Sequence, residues 1–527
     1  MSANKTNNHD YQSIKSTAGN GSAKNGDQIK SLQKSSRKNN DLSLKNLHKT
    51  DKEIEKLEIS SKKETVLDEI PVSVRNNVSS KDEPNYAETP KQKKKQKKVE
   101  KDCELLSSDR WLTRNGHTLS YAGLYLFSIL VLLRPYEITS SLSFLSATAF
   151  YFAVATLAIY IPTQFSTEGS LTVLSTEVKC VLVLTLIALL TIPIAKNPSI
   201  AWDTFSDTFI KAVLMFIVMI NVVRTRKRLM GLVWLSLIIG VYLSYTAIDL
   251  YMKGEFKVEG YRVGLDIGGQ YGNPNDFALH LVTMIPIAIT LGIASRSKIM
   301  RVIYFAITLL FIGGNMVTFS RGGFIGLIAA AVVLSWKLGR KSRLKVSIVS
   351  SIVGGLFIIL APGNYGLRLL SIFIPALDPV GSSDQRKELL IRSIIVTLRN
   401  PWGIGIGNFP IVGVRNLVTH NSFTQVSSEL GILGLAAYLI FLISPFRKLG
   451  AIERTLFAKE DYNWFYYLSI GLQASIIAYM FASFFVSVAY IWFVYYLIAY
   501  AVAFRRIYKA AEGIKETEED VFGLQTV

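Results

Sequence analysis

Cysteine is nearly absent from this chain. Two residues, Cys103 and Cys180, in 527 exclude a scaffold built on disulfides. They pair only if both lie on one side of a membrane, and Cys180 falls inside or at the mouth of an apolar run, so both read as free thiols. Charge is also scarce. Asp, Glu, Lys and Arg make up 18% of the residues, low for a soluble globular protein. The motifs of metal and nucleotide chemistry are missing: no His-Glu-x-x-His, no paired cysteines, no outer-side cluster of acids, no phosphate loop and no dinucleotide fingerprint. Those absences speak against an ATP-driven pump and a metal-dependent transferase, and no cofactor or metal is expected. No apolar core follows Met1, so no cleavable signal peptide is expected. No internal repeat and no paired, broken spans of the inverted-repeat transporter kind are evident.

Apolar residues are abundant, at 50% of the chain, and gathered into runs near the length that crosses hydrocarbon. This predicts an all-α, polytopic integral membrane protein with about 12 transmembrane helices. The runs lie at 117–135, 142–161, 177–196, 205–223, 229–250, 275–294, 301–319, 321–338, 344–361, 430–446, 465–482 and 485–504. The seventh and eighth, separated by Ser320-Arg321-Gly322-Gly323, form either a tight hairpin or a re-entrant pair. Residues 1–105 differ in kind. They are rich in Lys, Ser, Asn, Asp and Glu, carry 21 basic against 14 acidic residues over 1–100, and cannot bury enough apolar surface to offset chain entropy. A disordered basic tail is expected there, holding the N-terminus in the cytoplasm or touching anionic lipid through Lys91–Lys98. No aromatics interleave these lysines, so nucleic acid is not an expected partner.

Charge orders the spans. Arg224-Thr225-Arg226-Lys227-Arg228, Arg296 with Lys298, Lys337 to Lys345, Arg447-Lys448 and Arg505-Arg506 fall on alternate connections. By the positive-inside rule both termini are cytoplasmic, the C-terminal tail being 511–527. Residues 251–274, 320–323 and 362–429 then lie on the outer side. The last is a large periplasmic loop carrying an amphipathic helix over 385–399, with Leu389, Leu390, Ile394, Ile395 and Leu398 as its apolar residues and Ser382 with Gln385 at capping-box spacing.

Outer-side arginines are the exception to this order. Arg262, Arg321, Arg368, Arg386, Arg392, Arg399 and Arg415, with Lys387, sit where basic residues are disfavoured. Arg321 is the hardest to excuse, in so short a connection. It either snorkels to headgroup phosphates or converges with the others on an anionic ligand, whose oxygens a guanidinium grips bidentately. His420 precedes a helix-like stretch from Ser422, and serves either as a cap or as a proton acceptor. Asn421, Gln425 and Glu429 orient that ring, hydrogen-bond a sugar, or cap and pack. His280, inside the sixth run, reads as a polar packing residue.

In order, Arg262, Gly272-Asn273-Pro274-Asn275, Ser320-Arg321-Gly322-Gly323, Arg386, Asn400-Pro401-Trp402-Gly403-Ile404-Gly405-Ile406-Gly407-Asn408-Phe409 and His420-Asn421-Ser422-Phe423 with Gln425, Glu429, Gly431 and Gly434 form a pattern. It resembles the O-antigen ligase and O-antigen polymerase superfamily of bacterial envelope glycosyltransferases over about residues 110–510, the domain itself being 106–510. The resemblance implies a bacterial inner-membrane enzyme using glycans on undecaprenyl diphosphate, without nucleotide sugar, cofactor or metal. It implies that Arg262, Arg321 and Arg386 bind the diphosphate and that His420 is catalytic or orients the acceptor. The expected function is polymerisation of repeat units into exopolysaccharide or O-antigen. The alternatives are ligase-type transfer to a lipid core or a protein, and non-enzymatic flipping of the lipid-linked glycan. Expected partners are the glycan donor and acceptor, membrane lipids, and flippase and chain-length regulator proteins.

Overall fold

A computed structural model describes residues 115–145, 148–265, 267, 271–340 and 382–521, with 343, 344, 348 and 366. The N-terminal tail, most of the ninth predicted span at 344–361, most of 362–381 and the last six residues lie outside the described residues. Among those described there is no strand, only an isolated bridge between Val258 and Arg262. The helices are α1 (Asn115–Ile138), α2 (Thr148–Glu168), α3 (Thr176–Thr191), α4 (Pro198–Val222), α5 (Arg226–Met252), α6 (Pro274–Ala294) and α7 (Lys298–Val317). There follow α8 (Arg321–Leu338), α9 (Ser382–Arg399), α10 (Ser422–Glu429), α11 (Gly431–Ala458), α12 (Trp464–Ala482) and α13 (Trp492–Val521). Nine helices among the described residues are long and apolar enough to cross a membrane.

The starts of these helices are written in small polar residues. Ser175, Asn197, Thr225, Asn273, Ser297, Ser320, Asn421 and Asn463 each accept a backbone N–H of the first turn. Each satisfies a donor that the helix itself leaves open. Burial then sorts the helices. Of the most apolar window, 83% is buried in α6 and 72% in α12, but only 12% in the second span. So α6 and α12 form the core of the bundle, with α7 and α8 packed on α6 and α8 and α11 on α12, whereas α2 turns its apolar surface outward, as a lipid-facing helix does.

Several boundaries differ from those expected. The third run becomes a helix of 16 residues ending at Thr191, because Pro193 and the 195–197 turn lead into α4, which starts early at Pro198. The seventh and eighth runs are two full helices joined by Thr318-Phe319-Ser320. They part from each other, α8 packing chiefly on α6 and α12. The largest shift is at the end. The helix expected from 485 begins at Trp492, and it runs on through Arg505-Arg506 to Val521. Residues 486–491 are an irregular connection instead, and that connection organises the site.

Candidate functional site

Two parts of the chain meet at the α12–α13 connection. From one side comes the start of α8. Gly322 lies so close to the end of α12 that an added Cβ would stand 2.9 Å from Phe485 Cβ and 3.3 Å from the Ala482 carbonyl. Gly323 likewise fits against Asn315 and Ala278. These glycines bring helix against helix, and they hold Arg321, 6% exposed, at the first position of α8.

From the other side comes the segment before α10. Thr419 Oγ1 and Ser487 Oγ are 2.8 Å apart. Ser422 Oγ donates to the Val486 carbonyl at 2.7 Å and accepts Val488 N at 2.9 Å. Gln425 Oε1 accepts Ala489 N at 3.4 Å. The Phe423 ring stands 6.4 Å from Phe484. Asn421, not His420, caps α10, its Oδ1 accepting Phe423 N at 2.9 Å and Thr424 N at 3.1 Å. Its Nδ2 is buried with no hydrogen-bond partner.

His420 is freed from capping and held in an uncommon backbone state. Its φ is 51°, in the left-handed region that costs a non-glycine residue about 1–3 kcal/mol. Thr419, Asn421 and Ser422, all buried and tied to neighbours, fix it there. Burial, and then the charge of Arg386, push the imidazole down to about 4, so it is neutral near pH 7. Arg386 stands in the second turn of α9. That helix docks through buried Leu389, Ser393 and Val396, the first and last joining a small core with Ile404 and Phe409. Thr397 and Ser427 hydroxyls, 2.9 Å apart, fasten it to α10. The buried face is therefore 389–393–396. Ile394, Ile395 and Leu398, expected to be its apolar side, are exposed. Arg392 donates to the Val412 carbonyl at 2.8 Å, and Arg399 and Arg415 are exposed.

Arg262 is spent differently. It is 2% exposed, and its Nε donates to the Thr318 carbonyl at 2.8 Å. Its Nη2 donates to Asn275 Oδ1 at 2.8 Å, and Nη1 reaches Glu259 at 3.4 Å. Asn275 Oδ1 also accepts from Ser320 Oγ at 3.0 Å. Arg262 thus locks the α7–α8 turn, and with it Arg321, to the start of α6.

Glu429 faces inward. Its Oε1 accepts Phe409 N at 3.2 Å, while its backbone carbonyl accepts Gly405 N at 3.0 Å. Gly403, Gly405 and Gly407, with φ of 91°, 95° and 72°, wrap this helix end so closely that added side chains would strike Glu429, Ala195 and Thr204. Those glycines make a packed clamp. Asn408 ties it down, its Oδ1 accepting Asn197 N at 2.6 Å. Tyr490 faces the Glu429 carboxyl, yet its hydroxyl and Glu429 Oε2 each close no hydrogen bond.

Burial raises the Glu429 carboxyl from the ordinary 4.5 to about 7. Between those values the unfolded chain ionises while the folded carboxyl stays protonated. This group's contribution to stability therefore falls as pH rises through that window, by on the order of 3 kcal/mol in all. Glu429→Gln keeps an acceptor for Phe409 and has no charge to lose. Melting in detergent should show the variant gaining on the parent from about pH 5 to about pH 7. A constant difference would place an ionised Glu429 in the fold.

Residues 305–439 match the family model described as O-antigen ligase. The chain is O-antigen ligase-like over this stretch. The match runs from α7 into α11 and contains Arg321, Arg386, His420, Asn421, Gln425 and Glu429, while Arg262 lies before it. It supports glycosyl transfer of the O-antigen ligase or polymerase type by a membrane protein. No curated protein matches the chain.

The O-antigen ligase-like region does not reach the α12–α13 connection. Ser487 and Tyr490 were hidden in the sequence because Ser-Val-Ala-Tyr-Ile-Trp reads as membrane helix, with no Gly or Pro to mark the break.

Proposed function

We propose that this protein polymerises oligosaccharide repeat units carried on undecaprenyl diphosphate, at the periplasmic face of the bacterial inner membrane. The observation that carries the reading is a half-buried, neutral His420 in a strained backbone state, near enough to Arg386 to feel its charge. In the proposed step, an acceptor hydroxyl oxygen attacks the anomeric carbon of the donor as the bond to the diphosphate breaks. The diphosphate leaves with the electron pair, the hydroxyl proton passes to a ring nitrogen of His420, and the anomeric carbon inverts. Arg386 and Arg321 counter the charge that grows on the leaving group. Arg262 acts through the α7–α8 turn, as a positioning residue. Asn421 and Gln425 set the backbone on which His420 stands, and Glu429 fixes the clamp beneath it.

An imidazole at about 4 is a weak proton acceptor. A bound diphosphate changes this. It neutralises Arg386, whose charge depresses the ring, and adds negative charge of its own, so His420 becomes a better base only when the donor is in place. This ordering limits wasteful proton uptake by the empty site.

Ligase-type transfer uses the same donor chemistry with another acceptor, and product length separates the two. Given only a lipid-linked repeat unit, the purified protein should yield a ladder of lengthened products. A single transfer that requires added lipid core or protein would replace the polymerase reading by the ligase one. Sidedness is checked in cells. A reporter fused after Gly381 should report the periplasm and one near Lys341 the cytoplasm; both on one side would remove the periplasmic site.

A further inference from the structure

At the other end of the bundle lies a hollow that this chemistry does not use. Lys337 follows Arg321 by 16 residues along α8, about 24 Å at helical rise, so the two ends are well separated. A cavity of about 490 Å³ opens there, lined by Lys337, Arg340, Arg447, Lys448 and Arg454, with Glu453 as its one acid. Phe446 and Ala451 form an apolar wall.

Part of the charge is internal structure. Glu453, fully buried, is held by Lys337 at 2.8 Å and Arg340 at 2.7 Å. Lys448 reaches across to buried Glu177 at 3.0 Å, which Arg505 also grips at 2.8 Å. These pairs fix the long side chains of Lys337, Arg340 and Lys448 around the opening. Two cations keep guanidinium nitrogens for a ligand, Arg447 and Arg454, the latter with its Nε donating to the Gly450 carbonyl at 3.1 Å. Among the described residues no acidic group pairs with Arg447 or Arg454, and both are exposed. The positive-inside tendency places basic residues at this end. It gives no reason for them to ring one hollow around a carboxylate already neutralised twice.

We propose that this cavity binds a phosphate-bearing anion at the membrane end remote from His420, with Arg447 and Arg454 as its first contacts and the Lys337–Glu453–Arg340 cluster as its rigid floor. A guanidinium pair suits phosphate oxygens, and the Phe446 wall suits the glycerol and acyl carbons of a lipid whose headgroup enters. The same site accepts a soluble phosphate compound, so the test separates these sources. It does not depend on the transfer reaction.

Full-length protein is placed in nanodiscs of phosphatidylcholine with a minor share of phosphatidic acid, and retained lipid is counted by native mass spectrometry. In discs of phosphatidylcholine alone, inorganic diphosphate is titrated by calorimetry. The parent should retain phosphatidic acid over phosphatidylcholine by about tenfold, the value of one charged hydrogen bond. Arg447→Gln with Arg454→Gln should abolish that preference, and lysine at both positions should restore part of it. Arg296→Gln with Lys298→Gln, basic residues on another connection at this end, should not change it. Retention without diphosphate binding assigns a lipid headgroup. Diphosphate binding lost in the same double variant assigns a soluble source. Failure of both probes to bind, or an equal loss in the Arg296/Lys298 control, would overturn the proposal and leave only general surface charge.

Discussion

His420→Ala should bind the lipid-linked donor almost as the parent does and form glycosidic bonds 10²–10⁴-fold more slowly, a range typical of losing a proton acceptor or its alignment. The expectation rests on placement. Asn421 already caps α10, and α9 docks through Leu389, Ser393 and Val396. The left-handed φ remains in this variant, and alanine tolerates it less well than histidine, so a modest loss of stability is expected beside the loss of rate. Asparagine, which tolerates the left-handed region better than most residues, is the informative second variant. His420→Asn should fold as well as the parent and remain as slow as alanine. Normal turnover by either variant would end the catalytic assignment. The pH profile adds a check with a definite sign. In the free protein the neutral ring persists down to about pH 4. The acid limb of kcat/KM should therefore lie well below the ordinary histidine value, and Arg386→Gln should move it upward by removing a nearby positive charge.

Arg386→Ala and Arg321→Ala should act earlier in the cycle, on donor binding as well as on rate. Each removes a cation that the proposed step sets against the diphosphate, and losses of 10²–10³-fold in kcat/KM are expected. Lysine should rescue poorly at Arg321, where a buried, fixed position suits a planar fork better than a flexible point charge. Arg415→Ala should be mild, because Arg415 is exposed in the 414–416 turn. The measurement is binding of a radiolabelled lipid-linked donor to variants of equal abundance, set beside their turnover. Parent-like donor binding in both arginine variants would mean that these side chains meet headgroups, or only the protein.

Much of this was legible in the sequence, for physical reasons that differ by residue. Apolar runs and polar caps reveal helices because hydrocarbon and open backbone donors leave few alternatives. Arg321 stood out because a cation in so short a connection, Ser320 to Gly323, expected on the outer side, is hard to explain by chance. Its relation to Arg262 was not legible. Both are arginines expected on the outer side, yet Arg262 is consumed by Thr318, Asn275 and Glu259, contacts made across 56, 13 and 3 residues of chain. A glycine run such as 403–407 is compatible with a pliable loop or with close packing, and only the approach of Ala195 and Thr204 decides for packing. The face of α9 was misjudged for a related reason. Its aliphatic residues surround much of the helix, so periodicity alone could not say that Leu389 and Val396 face the protein while Ile394 and Leu398 face away. The break at 486–491 left no local mark, since its backbone is satisfied by Ser422 and Gln425, more than sixty residues earlier.

The central claim is that residues of this chain catalyse glycosyl transfer from a lipid diphosphate without a metal. The most direct measurement uses purified protein in proteoliposomes, a lipid-linked oligosaccharide donor and excess EDTA, and counts glycosidic bonds formed and undecaprenyl diphosphate released in the same samples. The account predicts one released carrier for each new bond, at a rate unaffected by EDTA and slowed at least about 100-fold by His420→Ala. Movement of intact donor between leaflets, with no bond formed and no carrier released, would contradict it.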